Sequence, residues 1–332
     1  MKKRILSGNR ATGKVHIGNL FGALINWVKL QSEYECFYEI ADLHALTTGY
    51  DKTEDMRANI REMAVGWIAC GISPEKSTIF IQSLVPEHSE LHLLLSMLVP
   101  LGWLERNPTL KEQVRDLNLQ GKVNYGLLGY PVLQAADILA YKADAVPVGE
   151  DQLSHLEITR EIARKFNSVY KSIFPEPEAL LTKSPRVPGI DGRKMSKSLD
   201  NTILVNEPTE VVREKMKKAF TDPLKIHKND KGHPDGCVVF AYYKLCASEG
   251  SHLPVNLEKV EEIKEECTNG KIGCVSCKEK LAGLLNKTLA PYREAYHKKE
   301  GNIDEILEEG SRKARKVAKK TLCEVKEVMS LW

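Results

Sequence analysis

Nowhere in the sequence does an apolar run approach the roughly 20 residues needed to cross a bilayer, which argues against a helical membrane span. The run Met1-Lys2-Lys3-Arg4-Ile5-Leu6-Ser7-Gly8 holds too short an apolar stretch for a signal peptide, so a cytoplasmic location is the expectation. Net charge is almost absent: 48 Lys and Arg against 45 Asp and Glu leave +3. Bulk charge therefore does not mark a nucleic-acid binder, and any basic surface must come from local clustering. There is no internal repeat and no low-complexity tract, which excludes a solenoid or a disordered tail. At 332 residues, 42% hydrophobic and 28% charged, the chain has an ordinary globular composition and is long enough for two domains. Its eight cysteines, in an intracellular setting, read as thiols or metal ligands rather than as a disulfide framework.

Residues 1–185 alternate strand-like and helix-like patterns. Arg4–Leu6, Cys36–Ala41, Ser77–Gln82 and Asp144–Val148 read as strands, and Asn19–Leu30 has helical spacing. Thr53 is placed to cap a helix running to Cys70, with Gly71 as its stop. This order implies βαβ units, hence an α/β class with a Rossmann-like parallel sheet. Beyond a Pro/Gly loop at Ser184–Gly192 the texture turns helical and charged, with long helices expected over Lys278–His297 and Ile303–Leu331. Residues 186–332 thus read as a second, all-helical domain, whose last helix is free to pack back on the first.

Two segments suit phosphate. After the first strand, Gly8-Asn9-Arg10-Ala11-Thr12-Gly13-Lys14-Val15-His16-Ile17-Gly18-Asn19 is a glycine-bearing turn entering a helix, at the sheet edge where α/β ligands bind. Far downstream, Asp191-Gly192-Arg193-Lys194-Met195-Ser196-Lys197-Ser198 sets two ammonium groups on a polar loop, suited to a triphosphate whose charge shifts as pyrophosphate leaves. A third stretch, Gly126–Leu139, puts Tyr130, Gln134 and Asp137 on one helix face, within about 60° of one another. A carboxylate among Leu, Ile, Val and Ala wants a donor, and either an indole N–H or a phenol O–H would serve.

His16-Ile17-Gly18-Asn19 and Lys194-Met195-Ser196-Lys197-Ser198 resemble the HIGH and KMSKS signatures of class I aminoacyl-tRNA synthetases. The first departs from the usual form by Asn19 in place of the last His. Val146–Asn167 and Ala41-Asp42-Leu43-His44-Ala45-Leu46-Thr47 are similar to bacterial tryptophanyl-tRNA synthetases, and the likeness runs through nearly the whole chain. The resemblance implies activation of L-tryptophan by ATP with Mg²⁺, then transfer to tRNA(Trp) by a homodimer. It implies Asp137 as acceptor of the indole N–H, Tyr130 and Gln152 on the α-ammonium group with Gln134 nearby, and Leu6, Gly8, His44, Val146 and Val148 around the ring. ATP would meet Arg10, Ala11, Thr12, Gly18, Asn19, Gly149, Glu150, Asp151, Val187 and the loop Lys194, Met195, Ser196, Lys197 and Ser198. His16, Lys194, Lys197, Ser198 and Lys111 would carry the chemistry, with Lys122 the alternative to Lys111. The other readings are a tyrosyl-tRNA synthetase, which shares the Tyr-x3-Gln-x2-Asp pattern, and an inactive tryptophan- or RNA-binding paralogue.

Cys267-x6-Cys274-x2-Cys277 is a compact thiolate group that needs a fourth ligand, Cys237 or Cys246. It resembles the Cys-x22-Cys-x6-Cys-x2-Cys set that binds a [4Fe–4S] cluster in tryptophanyl-tRNA synthetases of thermophilic bacteria. The spacer here is 29 residues from Cys237 and 20 from Cys246. The flanking Gly232-His233-Pro234-Asp235-Gly236 favours Cys237, with Ser248–Leu253 as an inserted loop; Zn²⁺ is the alternative metal. On the last helix, Arg312, Lys313, Arg315, Lys316, Lys319 and Lys320 form either a solvated face or a contact to tRNA phosphates.

Overall fold

A computed structural model of the chain describes residues 2–116, 119–149, 152–181, 187–248, 257–298 and 301–332. Five strands, β1 (Arg4–Arg10), β2 (Glu35–Ala41), β3 (Ser77–Ile81), β4 (Ala145–Val148) and β5 (Glu178–Leu181), form one parallel sheet in the order β3-β2-β1-β4-β5. This is the expected Rossmann-like core. The short edge strand β5 was not expected: it is four residues long, Glu178 and Leu181 face solvent, and Pro175 and Pro177 precede it.

Side chains alternate across the sheet with the period of two that a strand imposes. Ile5, Cys36, Tyr38 and Ile40 enter one core layer, where Trp27 stacks on Tyr38 at 4.7 Å and meets Trp67 edge-on. Leu6 and Phe37 enter the other, packed with Phe80 and Tyr141 beneath helices Glu87–Ser96 and Tyr125–Ala140. Glu39 follows Phe37 by two residues and shares its face. A carboxylate is thereby carried into an apolar layer.

Local structure departs from expectation at two places. Asn19–Leu30 is not one regular helix: a π turn, Leu20–Leu24, sits between Ile17–Asn19 and Ile25–Leu30. Thr53 caps nothing; it precedes a turn, and the helix runs Met56–Ala69 from Asp55. Its end is as expected, with Gly71 at φ +106°, a left-handed conformation that suits glycine.

The helical part comprises Thr209–Lys218, Val238–Cys246, Leu257–Thr268, Cys274–Lys298 and Ile303–Val328. The division expected between 185 and 186 falls in residues 182–186, outside the described residues. The terminal helix returns to the sheet beside β3. Ser311 Oγ accepts a hydrogen bond from the Ile81 N–H at 3.1 Å, and Ala314, Ala318, Leu322 and Val325 join the second core layer. Close approach requires Gly310, where an added Cβ would stand 1.8 Å from the Ile79 carbonyl oxygen. Among the described residues no helix is long and apolar enough to cross a membrane.

Candidate active site

The strand order reverses between β1 and β4, and a crevice opens at the C-terminal ends of these strands. A cleft of about 370 Å³ occupies it. Its lining includes Leu6, Gly8, Arg10, His44, Tyr130, Gln134, Asp137, Val146, Val148, Gly149 and Gln152, all singled out from sequence, together with Glu39 and His155, which were not. Gly8 is required by close packing: a Cβ there would stand 2.7 Å from the Glu39 carbonyl oxygen.

Asp137 lies at the floor, 1% exposed, on the helix Tyr125–Ala140. Its need for donors is already met in part by the protein. Oδ1 accepts from His88 Nδ1 at 2.6 Å and Gln82 Nε2 at 2.9 Å; Oδ2 faces His44 Nε2 at 2.8 Å and the same Gln82 nitrogen at 3.0 Å. Gln82 Oε1 in turn accepts from the His44 backbone N–H at 3.3 Å. Asp42, at the start of the helix bearing His44, accepts from the backbone N–H and hydroxyl of Ser83, tying that helix to the segment after β3.

Below Asp137, His88 is fully buried, and its Nε2 lies 2.7 Å from the Tyr141 hydroxyl. Glu39 Oε1 stands 3.2 Å from His88 Nδ1 but accepts no hydrogen bond. Burial alone would depress the imidazole; the Asp137 charge and hydrogen bond, with the Glu39 carboxyl close beside it, overcome it and raise His88 to about 10. Burial and the neighbouring Asp137 charge push Glu39 up to about 7. Burial would raise Asp137 too, yet the His88 cation and the hydrogen bonds from His44 and His88 hold it well below the usual carboxylate range. The floor is a buried imidazolium–carboxylate pair with a second carboxyl beside it.

These three groups converge as metal ligands might, within 4.8 Å of one another. The 2.6 Å contact, however, is a charge-assisted hydrogen bond. Two ligands on one ion at about 2.1 Å would stand roughly 3 Å apart.

Along the wall, the Tyr130 hydroxyl meets His155 Nε2 at 2.6 Å, and His155 Nδ1 meets Gln152 Oε1 at 2.9 Å. The chain fixes one polar side of the cleft. On the rim, Arg10 donates from Nη2 to the Ala45 carbonyl at 3.4 Å and to Thr48 Oγ1, while its Nε is buried without a partner. Burial lowers its pKa.

The two signature loops meet beside this rim. His16 and Asn19 cap reciprocally: His16 Nδ1 accepts from the Asn19 N–H at 3.3 Å, and Asn19 Oδ1 from the His16 N–H at 3.1 Å. Gly18 leaves room for the other loop, since a Cβ there would stand 3.3 Å from Met195 Sδ and within 3 Å of the His16 ring. Lys197 Nζ donates to the Thr12 carbonyl at 2.7 Å. Burial brings Lys197 down to about 8, and burial with the Lys197 charge brings His16 down to about 4. Asn201, 1% exposed and not noticed in the sequence, organises the second loop. It bonds Asp191 Oδ1, the Lys194 carbonyl and the Ser196 N–H at 2.8–3.1 Å.

Other expected contacts are not in the cleft wall. Ala11 is buried and Thr12 exposed on the first loop; Lys194 is exposed; Val187 packs half-buried against the core. Lys111 stands exposed on the helix Pro108–Asp116, and Lys122 is exposed in the turn beyond it. Glu150, Asp151 and the side chain of Ser198 lie outside the described residues.

The tRNA-synt_1b family, tRNA synthetases class I (W and Y), matches residues 1–290. The chain belongs to this family. The synthetase is 48% identical over 332 residues to a tryptophan–tRNA ligase of Thermotoga maritima, covering 99% of both chains. It is 44% identical over 400 residues to that of Aquifex aeolicus, covering 99% of this chain and 100% of that one. Among solved structures, the tryptophanyl-tRNA synthetase of Campylobacter jejuni complexed with ADP and tryptophan superposes with a TM-score of 0.84 at 34% identity, covering 99% and 100% of the two chains.

Away from the cleft, this synthetase gathers four thiols. Cys237, Cys267, Cys274 and Cys277 line one small pocket with Val239 and Ile272. Cys246 does not: it is fully buried in the core, with Thr288 as its hydrogen-bond partner. Gly232 packs against one of these thiols: a Cβ there would stand 2.4 Å from Cys267 Sγ. Burial raises the Cys237 and Cys267 thiols and pushes Cys277 up to about 12. On the terminal helix, Arg315 pairs with Glu87 at 3.0 Å and Lys313 with Glu309 at 2.7 Å, so part of the basic run serves the protein's own acids.

Proposed function

We propose that the chain is a tryptophan–tRNA ligase. The observation that carries the reading is a buried, ionised Asp137 at the floor of a cleft whose rim joins the Arg10 loop to the Lys197 loop. Leu6, Val146 and Val148 offer the ring its apolar walls, and Asp137 Oδ2 accepts the indole N–H beside His44. Tyr130 and Gln152 hold the α-ammonium group, with Gln134 nearby. Phenylalanine, which has no ring donor, would leave the carboxylate one partner short.

Arg10 and Lys197 face the triphosphate, with Gly18, Asn19 and Lys194 along the same rim. The tryptophan carboxylate attacks the α-phosphorus of ATP, the bond to the bridging oxygen breaks, and pyrophosphate leaves with that electron pair. Tryptophanyl-adenylate then passes its aminoacyl group to the 2′-hydroxyl of the terminal tRNA ribose, releasing AMP. A carboxylate nucleophile needs no general base in the first step, so catalysis is positioning and charge stabilisation. Mg²⁺ accompanies ATP, held by phosphate oxygens and water.

ATP–pyrophosphate exchange with tryptophan, tyrosine and phenylalanine tests the assignment. Exchange with tryptophan alone is expected; exchange with tyrosine alone selects the tyrosyl reading, and none at all selects a binding protein.

Three further readings belong here. Cys237, Cys267, Cys274 and Cys277 fit a [4Fe–4S] cluster, which would supply a cross-link between segments otherwise joined by packing; four thiols suit it, and equally Zn²⁺, with Asp222, Lys225 and His233 on the same pocket wall. Iron and acid-labile sulfide in anaerobically purified protein are expected, and stoichiometric zinc would contradict the cluster. Residues 186–332, apart from the returning terminal helix, are read as the anticodon-binding domain. The enzyme is read as a homodimer through the face that exposes Tyr50 (68%) and Tyr125 (70%), where a second cleft of about 540 Å³ is lined also by Leu43, Leu46 and Leu133. Sedimentation at twice the monomer mass is the check.

A further inference from the structure

We infer that His88 is the positioning residue of the aromatic pocket: clamped beneath Asp137, it keeps that carboxylate anionic and holds Oδ1 so that Oδ2 is left for the ring N–H. The inference rests on the reading of Asp137 as indole acceptor and goes beyond it. Three observations carry it. His88 is fully buried and off the cleft lining, so it reaches the cleft only through the lining carboxylates it meets, Asp137 at 2.6 Å and Glu39 at 3.2 Å, and the hydrogen bond is to Asp137. It makes the shortest of the contacts to Asp137, 2.6 Å to Oδ1, while its other nitrogen is fixed by Tyr141 at 2.7 Å. Oδ2 instead meets His44, which does line the cleft.

The accounting of lone pairs gives the consequence. Oδ1 meets His88 and Gln82, and Oδ2 meets His44 and the same Gln82 nitrogen, so each oxygen has two protein contacts and a ring N–H shares Oδ2 with His44, the donor that lines the cleft. Ionised, Asp137 offers only acceptors at that shared position; protonated, it carries a donor and accepts more weakly. With no cation below, a fully buried carboxylate takes up a proton rather than remain uncompensated. Its new O–H would then oppose the indole N–H, donor against donor. His88 thus sets specificity for a ring donor without touching the ring.

The test compares L-tryptophan with β-(3-benzothienyl)-L-alanine, which keeps the bicyclic shape but carries sulfur in place of the N–H. In the unaltered enzyme, KM in pyrophosphate exchange should favour tryptophan by roughly 10- to 100-fold, as for a hydrogen bond to a charged group. Asp137→Asn and His88→Gln should both collapse that ratio toward one, through KM for the amino acid and not through KM for ATP. A His88→Gln enzyme that keeps the full ratio while Asp137→Asn loses it overturns the inference alone. No preference in the unaltered enzyme overturns the Asp137 reading, and the inference with it. A second measurement needs no variant. Nitrogen-15 spectra of histidine-labelled protein at pH 8.5 should show one of the nine histidines still protonated on both ring nitrogens; all nine neutral would overturn the inference.

Discussion

At the floor of the cleft Asp137 meets three protein donors before any ligand arrives. At the rim, a few residues away, Arg10 keeps a buried Nε without a partner, and Lys197 is half-buried against a backbone carbonyl that cannot neutralise it. On the proposed reading the floor receives a ring that changes little during the reaction, and its central carboxylate, Asp137, is held by protein donors in advance. On the same reading the rim receives a polyphosphate whose charge moves, and its cations are held short of partners until that charge is present. Recognition of the amino acid and stabilisation of the reacting phosphates would then fall to groups with opposite states of satisfaction.

Breaking the floor should cost most. Asp137→Asn removes the charge that His88 hydrogen-bonds, leaving it only the Glu39 carboxyl; tryptophan-dependent kcat/KM should fall about a thousandfold, and stability by ~3–5 kcal/mol, read by pyrophosphate exchange and denaturant unfolding. Breaking the rim is next: Lys197→Ala should lower adenylate formation by roughly 10²- to 10³-fold while tryptophan affinity, measured by equilibrium binding, stays put. Equal losses in both would contradict a transition-state role for this lysine. Smaller is the effect behind the sheet. Gly310→Ala drives a methyl into the Ile79 carbonyl and should destabilise by ~1–3 kcal/mol in unfolding, although alanine is the better helix former.

The gentlest test sharpens the contrast by proton counting. Lys197 titrates near 8 because burial disfavours its charge, and bound phosphate should restore the ordinary range. ATP binding at pH 8 should therefore take up about half a proton, seen as a buffer-dependent calorimetric heat, and the uptake should fade toward pH 6.5, where the lysine is already charged. Lys197→Ala should abolish it.

Much of the rim was legible in the sequence because it lies in two continuous segments, and glycines with adjacent lysines announce themselves. The strands β1 to β4 were legible for a similar reason, each an apolar run between turn residues. The floor was not. Asp137 could be read from its helix face, but Glu39, Gln82 and His88 come from β2 and from two elements after β3, and only the sheet brings them together. One signal was available: Glu39 interrupts the apolar run Cys36-Phe37-Tyr38-Glu39-Ile40-Ala41, and a carboxylate inside a buried strand needs a partner. The π turn at Leu20–Leu24 left no mark in the spacing, and Thr53 looked like a cap only because nothing local shows the turn that follows it. The pocket cysteines show the middle case. Their spacing marked Cys267, Cys274 and Cys277 as neighbours, while the choice between Cys237 and Cys246 as the fourth thiol in the pocket depended on which helix end faces it.

A crystal structure with tryptophan bound tests the central reading most directly. The indole nitrogen should lie within about 3 Å of Asp137 Oδ2, with His88 still seated on Oδ1. A ring lodged outside the β1–β4 crevice, or an indole N–H turned to any other acceptor, would contradict it.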